Sequence, residues 1–246
     1  MTSRSLWFVA CLALATTVRE QPTVQDAGWP VNGGVDNIRY STLTQINRDN
    51  VSNLKVAWTY DSHDAFKGSE MQSNPIVVDG VLYATTPTLK VIAVNAANGR
   101  EIWKFDPSAG APSGARFRHR GVTVHKDRVF VTYRSFLWAL DKRTGQPIKT
   151  FGADGRIDLR EGLDQPAERL SVSASTPGVV FENLLIMGSS VPETLPGSPG
   201  HIRAFDVDTG KVRWIFHTIP SEASTVTPAQ AFAPPESTCA PFGHVS

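Results

Sequence analysis

Apolar and polar positions alternate in short runs along most of the chain, and the runs come in pairs separated by tight polar turns. Pro75-Ile-Val-Val-Asp-Gly-Val-Leu-Tyr83, Val122-Thr-Val-His-Lys-Asp-Arg-Val-Phe130 and Gly178-Val-Val-Phe-Glu-Asn-Leu-Leu-Ile186 each read as two strands joined by a two-residue turn. Behind each lies a second phrase: Ala93-Val-Asn-Ala-Ala-Asn-Gly-Arg-Glu-Ile-Trp103, Ala139-Leu-Asp-Lys-Arg-Thr-Gly-Gln-Pro-Ile-Lys149 and Ala204-Phe-Asp-Val-Asp-Thr-Gly-Lys-Val-Arg-Trp214. The copies begin at 93, 139 and 204, intervals of 46 and 65, of which the first falls within the period of roughly 40–50 residues at which four-stranded propeller blades recur. Four short strands per unit, with no helical periodicity competing, predict an all-β chain and a β-propeller.

The phrase has a local logic. Asn95, Asp141 or Asp206 ends an apolar strand and can bond the backbone two residues on. Gly99, Gly145 and Gly210 then close the turn where a positive φ is needed, and a second strand is expected to follow at once. Trp103 and Trp214 occupy one place in that second strand, where a flat side chain can pack between blades. Trp58, in Leu54-Lys-Val-Ala-Trp58, reads as the tail of a further copy. The second copy carries Lys149 instead, which predicts a weaker or differently filled interface.

At 246 residues with 41% hydrophobic content, the chain can bury a sizeable core. Lys plus Arg number 24 against 23 Asp plus Glu, so no basic footprint for nucleic acid exists and a small-molecule partner is expected. Arg4, the apolar run from Leu6 to Ala15 and Ala13-Leu-Ala15 match a secretory signal peptide over 1–15. That run is too short to span a bilayer, which needs about 20 apolar residues, so a periplasmic or secreted mature chain without a transmembrane segment is predicted. Cys11 and Cys239 are the two cysteines, and no Cys-x-x-Cys-His offers covalent haem attachment.

Taken in order, Trp29-Pro-Val-Asn-Gly-Gly34, Arg39-Tyr-Ser41, Ile46-Asn-Arg48, Arg120-Gly-Val122, Gly188-Ser-Ser-Val191 and Phe216-His-Thr-Ile-Pro220 resemble the pyrroloquinoline quinone (PQQ)-dependent dehydrogenases, the glucose-dehydrogenase-like branch above all. Arg118-His119 stands where the methanol-type branch has an adjacent cysteine pair. The resemblance implies an eight-bladed quinoprotein propeller, here an incomplete ring of roughly three to four blades over 16–220. It implies oxidation of a sugar or alcohol with PQQ and Ca²⁺ or Mg²⁺, electrons passing to a respiratory acceptor.

PQQ is a planar, tricarboxylated ortho-quinone, so its site calls for cations, hydroxyl donors and a hard metal ion. By resemblance the cofactor contacts are Gln72, Arg120, Ser175 and Ser190, and the metal ligand is Glu193. Arg120 presents a fixed fork of donors suited to carboxylate or quinone oxygen, and a carboxylate such as Glu193 suits Ca²⁺ or Mg²⁺. Gln72 departs from the family's usual glutamate three residues before the proline, here Pro75, and brings an amide without the charge. His119 and His125 belong to no metal-ligand spacing and are expected to be satisfied locally, and Asp154-Gly-Arg-Ile-Asp158 lacks the acid spacing of a calcium loop.

The family's aspartate base, asparagine metal ligand and cofactor-flooring tryptophan come from later blades, so no catalytic residue is assigned here. Residues 221–246 are rich in Pro, Ala, Ser and Thr without strand period, a composition that predicts a disordered tail. An N-terminal portion with little turnover of its own is the reading, with raw sheet edges prone to self-association. The alternative is a non-catalytic propeller scaffold similar to envelope-assembly propellers.

Overall fold

The computed structural model describes residues 28–34, 37–110, 118–163, 165–193 and 197–219. The stretches read from sequence as a signal peptide, 1–15, and a tail, 221–246, lie outside the described residues. Among the described residues no helix is long and apolar enough to cross a membrane.

Among the described residues, twelve strands form three four-stranded antiparallel sheets, each a simple meander in chain order. The first blade holds β1 (Ile76–Val78), β2 (Val81–Thr85), β3 (Val91–Asn95) and β4 (Glu101–Phe105). β5 (Thr123–His125), β6 (Arg128–Tyr133), β7 (Phe136–Asp141) and β8 (Arg156–Asp158) form the second. The third holds β9 (Val179–Phe181), β10 (Leu184–Met187), β11 (Ile202–Asp206) and β12 (Val212–Phe216). The only helical elements described are single 3₁₀ turns at Val51–Asn53 and Ala167–Arg169.

The predicted hairpins form in the predicted register. Val78 pairs with Val81 across Asp79-Gly80, and both turn residues have positive φ, 51° and 74°, as a two-residue hairpin turn matched to strand twist requires. The repeat turn also forms as read. Asn95 Oδ1 accepts the N–H of Ala97 at 3.0 Å, Asp141 Oδ1 that of Arg143 at 3.0 Å and Asp206 Oδ1 that of Asp208 at 3.1 Å. The glycines that close these turns have φ of 70°, 70° and 73°.

One element differs from expectation. No strand follows Gly145; a single bridge, Leu140 to Pro147, stands there instead. Proline has no N–H to give a ladder, so the chain detours through 148–155 and returns as β8 to complete the blade.

The first two sheets bury both faces, and the period of two along the strands sorts side chains between them. Val91 and Ala93 face the second blade, joining Tyr83, Trp103, Val129, Val131 and Leu140. Ile92 and Val94 face the other way, under Trp58 and Tyr60. Phe130, Leu137 and Ala139 meet Leu185, Met187 and Phe205 of the third blade.

What sets blade against blade is an indole seated on the next blade's turn. A Cβ built on Gly145 would stand 2.5 Å from the Trp103 ring, and Trp103 Nε1–H donates to Lys142 O at 2.9 Å. Trp58 repeats this on Gly99, with the same 2.5 Å approach and a 3.0 Å bond to Ala96 O, again three residues before the glycine. Lys142 adds an ion pair to Asp79 at 2.8 Å. Where Lys149 replaces the tryptophan, Phe151 and Ile157 from the detour pack over Gly210 instead, and Gly152 N–H donates to Thr209 O at 3.0 Å. Arg203, fully buried, ties this interface by donating to Leu159 O at 2.6 Å and Glu161 O at 3.2 Å.

Trp103 and Trp214 stand at one register, opposite Ala93 and Ala204 and beside the same bulge, yet Trp103 is 7% exposed and Trp214 36%. Trp103→Ala is therefore expected to cost about 3–5 kcal/mol, the range for deleting a buried aromatic, and Trp214→Ala less than about 1 kcal/mol. Urea unfolding of both variants measures the difference, and equal losses would contradict the seat as the source of stability.

Candidate cofactor site

The innermost strands of the three blades converge on a run of backbone hydrogen bonds that crosses blade boundaries. Asn74 N–H donates to Arg120 O at 3.1 Å, and Arg120 N–H donates to Ser175 O at 2.8 Å. Ser173 and Ser190 exchange a pair of backbone bonds, 3.1 and 2.7 Å. Thr123 Oγ1 donates to Gly178 O at 2.9 Å and holds β5 to the entry of β9.

This run brings four of the five sequence-predicted residues to one rim. Gln72 lies two residues before Asn74, Arg120 is in the run, Ser175 accepts from it, and Ser190 is coupled through Ser173. Glu193, exposed, stands three residues beyond Ser190 and is not tied into the run. Among the described residues no group of three or more His, Cys, Asp or Glu is placed to hold a metal ion.

Arg120 is exposed, and its guanidinium makes no hydrogen bond or ion pair among the described residues. Its backbone is fixed from both sides, so the side chain is presented from a rigid base. Gly121 has φ 111°, and a Cβ there would lie 2.9 Å from Asn74 O; glycine permits the strand entries to approach this closely.

Gln72 is held by Glu70. Gln72 Nε2 donates to Glu70 Oε2 at 2.7 Å, and Arg118 reaches both carboxylate oxygens at 3.3 Å. With the amide N–H₂ engaged, Gln72 Oε1 is left buried and without a hydrogen-bond partner among the described residues. An acceptor in that condition is costly unless a donor arrives. The sequence motifs single out neither Glu70 nor Arg118 for this role. The available signal is the Glu-x-Gln spacing, and Arg118 entered only as a replacement for a cysteine.

His119 is satisfied locally, as expected of it. Gly121 N–H donates to Nδ1 at 3.1 Å, so the ring proton sits on Nε2, which faces Thr132 Oγ1 at 2.7 Å; that hydroxyl in turn donates to Ala174 O at 2.6 Å. The chain of bonds ties the Arg120 segment to β6 and to the third blade. Burial pushes the His119 pKa from 6.5 down to about 4. His125 differs from expectation, its Nε2 being buried without a hydrogen-bond partner among the described residues; its pKa is also lowered, by desolvation first and the charges of Lys126 and Arg128 after it.

The donor set suits a planar polycarboxylate. A free guanidinium and serine hydroxyls offer donors, while Gln72 Oε1 offers a buried acceptor for an N–H such as a pyrrole carries.

Comparison with known proteins gives the site its setting. Residues 29–239 match the family model described as PQQ glucose/ethanol/alcohol dehydrogenase, β-propeller domain. The chain is 35% identical over 192 residues to quinohemoprotein alcohol dehydrogenase ADH-IIG of Pseudomonas putida, covering 76% of this chain and 24% of that one. It is 29% identical over 250 residues to quinoprotein glucose dehydrogenase A of Acinetobacter calcoaceticus, covering 85% and 31%. The crystal structure of quinohemoprotein alcohol dehydrogenase from Comamonas testosteroni superposes with a TM-score of 0.64 at 30% identity, over 79% of this chain and 28% of that one. The chain thus spans less than a third of the length of these relatives.

Because folding keeps His119 neutral while the unfolded chain protonates it near 6.5, the unfolded state binds more protons between those values. Stability is full above pH 6.5 and falls as pH drops from about 6.5 to about 4, by about 3 kcal/mol for a shift of this size. His119→Gln is expected to flatten that slope in urea midpoints taken across the window. Because His125 contributes in the same direction, the difference between wild type and variant isolates His119.

Proposed function

The chain belongs to the PQQ glucose/ethanol/alcohol dehydrogenase β-propeller family, and on that premise we propose that its inner rim holds one side of PQQ in an enzyme that oxidises a sugar or alcohol hydroxyl. The observation that carries the proposal is the rim itself. Arg120 is presented unpaired from a backbone fixed between Asn74 and Ser175, and the strand entry that holds Asn74 also carries the buried orphan acceptor of Gln72.

When bound, PQQ supplies an ortho-quinone able to accept the hydride of a hydroxyl-bearing carbon. Arg120 binds carboxylate or quinone oxygen through its fork of N–H donors, a charge-assisted contact stronger than a neutral one. Ser175 and Ser190 donate hydroxyls. Gln72 accepts through Oε1, its amide turned that way by Glu70, which Arg118 holds in place. Glu193 would offer a carboxylate oxygen to Ca²⁺ or Mg²⁺. His119 stays neutral near pH 7 and positions the Arg120-Gly121 step without exchanging a proton.

No residue named here is given the role of taking the substrate hydroxyl proton, and cofactor binding rather than turnover is the property expected of the purified chain. Export to the periplasm is part of the same reading and rests on the pattern of Arg4 and Leu6–Ala15.

PQQ titrated into the purified chain with Ca²⁺ or Mg²⁺, followed by absorbance, is expected to saturate. Arg120→Ala is expected to weaken binding about 10- to 100-fold, the value of a hydrogen bond to a charged group. A folded chain that gives no saturable change would move the non-catalytic scaffold reading ahead.

A further inference from the structure

A crevice of about 300 Å³ opens between the first and second blades beside the Trp103 indole. It lies at the end of the blades away from the rim: Asp79 is in the β1–β2 turn and Lys142 and Arg143 are in the turn after β7, whereas Asn74 and Arg120 precede β1 and β5. All of its lining residues fall between Asp79 and Arg143, so the two blades form it by themselves. One wall is the face of β2 that carries Val81 and Tyr83. The other is β4, whose pairing with β3 slips between Ala93 and Val94 and leaves Ile102 as the extra residue. A bulge re-aims a side chain, and here Ile102 and Trp103 both line the crevice, with Ile102 46% exposed beside the buried indole. At the second junction β8 pairs with β7 in unbroken register, so no bulge residue is turned into it.

Pockets for small molecules begin at about 300 Å³ and combine apolar walls with a few placed polar groups. The walls here are Val81, Tyr83, Ile102 and Trp103, and the mouth carries Lys142, Arg143 and Asp79. Lys142 and Asp79 neutralise each other at 2.8 Å. The Arg143 guanidinium is exposed and makes no hydrogen bond or ion pair among the described residues, while Asp141 Oδ1 near it is engaged by three donors of its own turn. The mouth is left with one positive charge to offer. Inside it the Tyr83 hydroxyl is held loosely, 3.4 Å from Lys142 O, which the Trp103 indole already engages at 2.9 Å. Burial, with Asp79 and Asp141 after it, pushes the Tyr83 pKa up to about 12, so that hydroxyl stays a donor.

We propose that this crevice binds a small carboxylate carrying an apolar ring, with the ring against Ile102 and Trp103 and the carboxylate on Arg143 at the mouth. Burial of the ring supplies most of the affinity, since an exposed ion pair contributes little. The Arg143 contact selects an anion over a neutral molecule of the same shape. The site is separate from the rim, where Arg120 is the cation on offer, and it stands whether or not the rim holds PQQ.

Phenylacetate titrated into the full chain, followed through the Ile102 methyl and Trp103 indole N–H resonances, tests this. Both resonances are expected to move saturably. Phenylacetamide, the neutral isostere, is expected to bind about 2- to 5-fold more weakly, the value of an exposed charge pair, and Arg143→Gln to weaken phenylacetate by the same factor. Ile102→Glu, which puts a like charge into the crevice, is expected to abolish the shift at Trp103, and Arg120→Ala to leave it unchanged. Equal binding of acid and amide overturns the proposal. So does a folded chain in which neither resonance moves, a Trp103 shift that survives Ile102→Glu, or one that Arg120→Ala removes, which would place the carboxylate at the rim. If Ile102→Glu loses its β-sheet circular dichroism, Ile102→Gln is read against the same outcomes.

Discussion

The arrangement of the blades depends on a flat indole resting where another residue has no Cβ. The approach of the Trp103 and Trp58 rings to Gly145 and Gly99, with the indole N–H fixed on a backbone carbonyl, sets distance and rotation between sheets together. Non-directional apolar burial would hold two sheets face to face without choosing among such rotations. A ring wedged against a glycine and pinned by one hydrogen bond does choose. The ion pair of Lys142 with Asp79 and the buried Arg203 reinforce positions that these wedges define.

The rim inherits its geometry from those wedges. Asn74, Arg120 and Ser175 come from three separate blades, and backbone bonds near 3 Å between them tolerate little rotation of one blade against the next. The His119 chain to Thr132 and Ala174 then couples the Arg120 segment to the interior of two blades at once. On the proposed function the Arg120 side chain would meet its partner from a rigid base, which lowers the ordering cost of binding.

Much of this was legible in the sequence because it is written in local, repeated chemistry. The turn at Asn95, Asp141 and Asp206 needs only an Asx side chain and a glycine four residues on, so it is read from one stretch and found in the structure. Trp58 was readable as a tail because it repeats a local phrase. The β8 detour was not, since it depends on Pro147 withholding a ladder bond and on Phe151 and Ile157 returning to a glycine more than fifty residues away. The rim divides the same way. Gln72, Arg120, Ser175 and Ser190 sit in recognisable phrases, while Glu70 and Arg118 act on Gln72 through a pairing across 48 residues that no local pattern announces. Glu193 remains a residue of the phrase that the described contacts do not connect to the rim.

The substitution of Phe151 and Ile157 for a tryptophan also divides the molecule spectroscopically. Trp58 and Trp103 each sit in a seat, and Trp138 lies edge-on to Phe105, with ring centroids 5.2 Å apart, so indole emission samples both faces of the first blade. The junction between second and third blades contains a phenylalanine pair, Phe130 and Phe151 at 5.7 Å, and no indole. Separation of the third blade would leave the seated indoles in place, and fluorescence would pass over an event that hydrogen exchange in β10 and β11 would register.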